Sequence, residues 1–170
     1  QFDLQEGFGA KLTASVMKQT AWLADNLHTS RNHRTLELYD ILLVAIGFPH
    51  FPPSAAWERF AIAALNDNIL SDFRPDGGHC EQSTHYHCIV LNNFILALRL
   101  LQENDRDFSD AAHERLAAAL NFASAIDRLL FAGPFGDRRV FRVDLDFLRS
   151  TQVGELDIFK LNAQILEDGF

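Results

Sequence analysis

The chain has 170 residues, 48% of them apolar, and a formal net charge of −8. That length and apolar content suffice for one domain with a sizeable core and argue against a disordered chain. The acidic balance argues against a nucleic-acid partner, which needs a basic face opposite the phosphates, and no run nears the roughly 18 uncharged apolar residues of a membrane helix.

The chain opens at Gln1 inside a helical-looking pattern, without an initiator Met or a signal peptide. This predicts a fragment or a mature product. Leu12, Val16, Leu23 and Leu27 share one helical face, which predicts a first helix over residues 8–28. The following "HTS" breaks it. Ser30 suits an N-cap, and a second helix follows through "RTLELYDILLVAIG", ended by Gly47 and Pro49. "FPHFPPS" predicts a loop, with Ser54 as the cap of a third helix, "AAWERFAIAALNDNILSDF". The turn chemistry of Pro75, Asp76, Gly77 and Gly78 predicts the next loop. A fourth helix starts near Glu81 to Ser83 and runs to about Gln102. Its apolar residues, from Ile89 to Leu101, cover most of its circumference, which predicts burial on several sides. Ser109 suits the cap of a fifth helix, "DAAHERLAAALNFASAIDRLLF". After "AGPFG" the period changes: "RRVFRVDLDF" alternates, which predicts a short extended segment near residues 138–147. A further helix is expected within "ELDIFKLNAQILEDGF".

The expected fold is therefore all-α, a single domain of helical hairpins. Short connections make sequential helices antiparallel neighbours. The second and fourth helices then point the same way and start at one end of the domain. That end gathers Asn32 and His33 with Tyr86. Helix N-termini there offer free N–H groups and positive dipole to an anionic ligand. Arg31, His33 and Arg34 add local positive charge to an acidic chain.

Residues 73–88 read "FRPDGGHCEQSTHYHC". His79, Cys80, Glu81, His85, His87 and Cys88 are zinc-type ligands, but CxxC and HExxH spacings are missing, so no metal is predicted. Two Cys are too few for a disulfide framework. A Cys80–Cys88 bridge would require a break in the helix, because eight helical residues span about 12 Å. Tyr86 can be read as a core ring with a satisfied hydroxyl. Between two His, after a Gly-rich loop and at a helix start, it can also be a phenol of lowered pKa that serves as base and acid. Asn32 can be read as a cap, His33 as a surface His, Glu81 as a first-turn acid and Asp76 as a turn residue.

Together, "NHRTLELY" and the later "DGGHCEQSTHYH" resemble the heparinase II/III family of polysaccharide lyases, which includes heparin, heparan sulfate and alginate lyases. The family joins an Asn-His pair opening a helix to a segment with Asp-Gly-Gly-His, Glu-Gln-Ser and Tyr-His. Here Asn32-His33, Asp76-Gly77-Gly78-His79, Glu81-Gln82-Ser83 and Tyr86-His87 supply both, with Asn32 and Tyr86 54 positions apart. The likeness is clear over residues 20–100, and "GPFGDRR" is similar to a later Gly-Asp loop. It implies part of an incomplete α/α toroid. The family's β-sandwich domain, which contributes a further cleft His, is not expected within these 170 residues. It also implies β-elimination on an acidic polysaccharide containing uronic acid, in the periplasm or outside the cell. Neither nucleic acid, membrane nor redox or organic cofactor enters. By the family match Asn32 stabilises the developing aci-carboxylate. His33 is a second donor, or the base for one sugar epimer, and Tyr86 is base, acid or both. Arg31 and Arg34 would hold the polyanion; His79, Glu81 and His87 would contact substrate from behind or order the loop. A non-catalytic carbohydrate-binding relative would keep the arginines without needing Tyr86 to ionise. A purely structural domain would use Tyr86 and Asn32 as core and cap.

Overall fold

The computed structural model describes residues 7–131. The extended segment expected near 138–147, the "GPFGDRR" loop and the last expected helix lie outside the described residues. Within them the fold is all-α, with five helices: α1 (Phe8–Asp25), α2 (Arg31–Gly47), α3 (Ser54–Asp72), α4 (Thr84–Gln102) and α5 (Asp110–Phe131). Among the described residues no strand forms; one isolated antiparallel bridge pairs Phe73 with His79. No described helix is long and apolar enough to cross a membrane.

Helical periodicity decides what is buried. Leu38, Ile41 and Leu42 of α2 meet Leu65 and Ile69 of α3, Leu91, Phe94 and Leu98 of α4, and Leu116 and Leu120 of α5 in one core. Each such side chain contributes about 1.5–3 kcal/mol on burial. The helices α2 and α3 pack together, α4 lies mainly on α2 and α5, and α5 closes the ring onto α3. The link after α3 thus carries the chain past its sequence neighbour rather than back along it. Helix α1 packs on α2. Only the later part of its apolar face is used: Val16, Leu23 and Leu27 touch the core, while Leu12 stands 54% exposed.

Hydrogen bonds across the core give the directions. Thr35, near the start of α2, accepts from Asn68 Nδ2, near the end of α3, at 3.2 Å, so these two helices run antiparallel. The Ser109 amide meets Asn66 Oδ1 at 2.9 Å, and the Arg115 guanidinium reaches the Leu70 carbonyl at 3.0 Å, so α5 runs parallel to α3.

The helix ends correct three expectations. Helix α1 stops at Asp25, not at residue 28, because the chain turns there to seat Leu27 on the core and His28 on α2. Ser54 is not a cap: Pro53 holds the N-cap position, and the Ser54 hydroxyl donates to the Phe48 carbonyl at 2.7 Å, closing the preceding turn. Ser30 occupies the N-cap of α2 in extended backbone but makes no side-chain cap bond. By contrast, Ser83 and Ser109 do cap. Their hydroxyls accept from Tyr86 N at 3.4 Å and Ala112 N at 3.3 Å.

Candidate functional site

The start of α2 is open and polar. Arg31 has φ 72°, a left-handed conformation that costs a non-glycine residue about 1–3 kcal/mol. Half-buried Asn32 turns its Oδ1 back to the His33 amide at 2.9 Å, so it satisfies a first-turn N–H from within the helix. His33 is exposed, and its ring stacks on His28 with centroids 5.0 Å apart. Arg34 donates to the His28 carbonyl at 3.0 Å, so part of its guanidinium is spent on fixing the turn before the helix.

The loop ahead of α4 is closed and packed. Arg74 N donates to Gly78 O, and Gly77 N to Arg74 O, both at 2.9 Å. Gly77 has φ +85°, and a Cβ there would lie 2.0 Å from the Ala118 carbonyl oxygen; only glycine fits. Asp76 Oδ1 accepts from the Gly78 amide at 2.9 Å, and Phe122 of α5 closes over Gly78. Asp76-Gly77-Gly78 is therefore the surface by which the loop docks on α5.

His79 and His87 are 3% and 2% exposed and flank Phe73 edge-on at 5.2 and 5.3 Å. His87 Nε2 meets the Ala119 carbonyl at 3.0 Å. A carbonyl only accepts, so Nε2 carries the proton and Nδ1 is bare, without a partner among the described residues. His79 Nδ1 accepts from the Glu81 amide at 3.3 Å. Burial lowers the pKa of both rings; Glu81 opposes this at His79, and the Ala119 carbonyl opposes it at His87. Their bonds, to the Glu81 amide and the Ala119 carbonyl, tie the loop to itself and to α5. A cavity of about 260 Å³ borders the loop, lined in part by Arg74, Gln82, Thr84 and Phe122, and includes neither Asn32 nor Tyr86.

Asp72 joins the two segments, although neither motif includes it. It is 4% exposed; its carbonyl accepts from Cys80 N at 2.8 Å. Burial pushes its carboxyl pKa up. The Ser71 hydroxyl opposes that rise, Glu81 adds to it, and the guanidinium and backbone amide of Arg31 oppose it. One residue therefore holds the loop with its backbone and faces the strained first residue of α2 with its side chain. An acid in the last turn of a helix opposes the dipole. That oddity was the available signal.

Arg31 also senses His79 and Cys80, so the starts of α2 and α4 share one end of the bundle. Tyr86, in the first turn of α4, is 42% exposed, which excludes the core-ring reading. Its ring meets His85 edge-on at 5.7 Å, and its hydroxyl has no hydrogen-bond partner among the described residues. Glu81 is half-buried beside His79. Cys80 carries a free thiol whose pKa burial pushes up. Among the described residues no three His, Cys, Asp or Glu side chains converge to hold a metal ion.

The family model described as Heparinase II/III N-terminus matches residues 2–126. No curated protein and no solved structure gives a match.

Proposed function

Since the chain belongs to the heparinase II/III family of polysaccharide lyases, we propose that it carries the helical part of a site that cleaves uronic-acid polysaccharides by β-elimination. The C5 proton of the uronate is removed, the C4–O bond breaks, a C4–C5 double bond forms, and a proton passes to the leaving oxygen. Charge builds on the uronate carboxylate as the proton leaves. The Asn32 amide, with His33 beside it, donates to that carboxylate where the charge develops. Tyr86 moves the proton, as base, acid or both. Arg31 adds cationic attraction for the polyanion. Loop residues His79, Glu81 and His87 hold Tyr86 and Asn32 in register from below. The family's β-sandwich domain supplies the other wall of the cleft, and the reaction takes place in the periplasm or outside the cell, where such polymers are met.

The observation that carries this reading is Tyr86 itself. It is exposed and has no hydroxyl partner among the described residues, and it stands on the first turn of one of two helices that begin together, Asn32 and His33 being on the other. A phenol needed only for packing would be covered and bonded. The test is Tyr86→Phe in the protein with its β-sandwich domain, reading ultraviolet absorbance of the unsaturated product. Turnover should fall roughly 10²–10⁴-fold with an unchanged melting curve, the usual worth of a positioned proton-transfer group. Asn32→Ala should also cut turnover sharply. Wild-type turnover in Tyr86→Phe would remove Tyr86 from the chemistry.

A further inference from the structure

Asp72 sits where an acid is unfavourable on three counts. It is buried, it stands in the last turn of α3 against the helix dipole, and its Oδ2 has no partner among the described residues. Its Oδ1 has only a long bond, 3.4 Å, from the Ser71 hydroxyl. The raised carboxyl pKa has the same meaning: charge on Asp72 is less favourable in the folded chain than in the unfolded one. Yet this carboxyl faces Arg31, the first residue of α2, which holds a left-handed φ of 72°. Ser30, at the N-cap of α2, makes no side-chain cap bond, so the acid from α3 supplies negative charge at that helix start. On its other side the Asp72 carbonyl accepts from the Cys80 amide at 2.8 Å, and the neighbouring Phe73 bridges to His79.

We infer that Asp72 is a positioning residue of the lyase site: its side chain seats the first turn of α2, with Asn32 and His33, and its backbone seats the loop that leads to Tyr86. The role of those three residues rests on the function proposed above. Asn32 and Tyr86 are 54 positions apart and must meet one sugar together. A misplacement of about 1 Å can cost 10²-fold in rate. A residue that reaches both segments from a third helix sets their spacing without touching substrate. The ionisable groups that face it are Arg31 on α2 and Cys80 and Glu81 in the loop; Arg31 attracts its charge and Glu81 repels it. The charge is thus held at the joint between the two segments, at the expense of stability.

Asp72→Asn tests this, because it keeps the size and the backbone bond and removes the charge. In the protein with its β-sandwich domain, on alginate, heparan sulfate and hyaluronan, kcat should fall roughly tenfold or more while KM changes less than about twofold. The melting temperature at neutral pH should hold or rise, and its difference from wild type should shrink as pH falls below the unfolded Asp pKa. Amide hydrogen exchange at residues 35–37, whose intrahelical bonds end on the first turn of α2, should quicken roughly two- to fivefold, the range for a charge beside a helix N-terminus. A lower melting temperature at neutral pH would make Asp72 a structural acid and overturn the proposal, as would a kcat left at the wild-type value. A wild-type protein that turns over none of the three polymers sinks the lyase reading instead. Exchange at residues 35–37 then decides the seating of α2 alone: quickened in Asp72→Asn it stands, unchanged it is overturned.

Discussion

At the start of α2, Arg31 and His33 stand in solvent, and so does His28 before them, bonded to Glu37 and stacked on His33. In the loop before α4, Gly77, Gly78 and His79 are buried against α5 or Phe73. Both stretches carry the family motif, and both sit at one end of the bundle, but their polar groups are spent differently. The first leaves Arg31, His28 and His33 exposed. The second uses its polar groups to lock a turn, and presents Tyr86 as its exposed product. One motif thus has an exposed half and a loop-locking half, and burial separates the two.

The sharpest test of this contrast is Gly77→Ala. The added Cβ meets the Ala118 backbone at 2.0 Å and sits in a left-handed conformation. Overpacking and backbone strain together should cost about 3–5 kcal/mol, read by denaturant unfolding. A loss under about 1 kcal/mol would mean that the loop is not seated on α5. Thr35→Val comes next. Thr35 is fully buried, and removing its hydroxyl leaves Asn68 Nδ2 without its acceptor. Roughly 1–2 kcal/mol should be lost, because a buried donor is left unmade. At the open end, His33→Ala should shift stability by no more than about 0.5 kcal/mol while lowering turnover. If it unfolds the protein instead, the start of α2 is structural like the loop.

Acid gives the mildest probe. The folded pKa of His79 and of His87 lies below the unfolded value, because burial disfavours the charged ring. The unfolded chain therefore binds more protons between the two values. Stability from these rings is complete above the unfolded His pKa and is lost as pH falls from there to the folded pKa. Asp72 works the other way: its folded pKa is raised, so its contribution is complete below the unfolded Asp pKa and is lost as pH rises from there through the folded value. Melting temperature followed from neutral to mildly acidic pH should fall. His87→Gln should flatten the fall while keeping a donor for Ala119. An unchanged slope would place the acid sensitivity elsewhere.

The sequence by itself determined the five helices and their main core faces, because apolar residues at a 3.6-residue period must share one side. It also determined the cap at Ser109 and the placing of Asn32, His33 and Tyr86 at helix starts. These are local consequences of spacing and backbone chemistry. Tertiary structure alone decided that α4 lies on α2 and α5, that Gly77 is demanded by the Ala118 carbonyl, and that His87 faces Ala119. It alone brought Asp72 to Arg31 and Glu37 to His28. Each of these depends on a partner many positions away or on another turn of chain. A side chain's periodicity says which face it occupies, but not what stands opposite. Burial, and with it the split between exposed and loop-locking histidines, follows from what stands opposite.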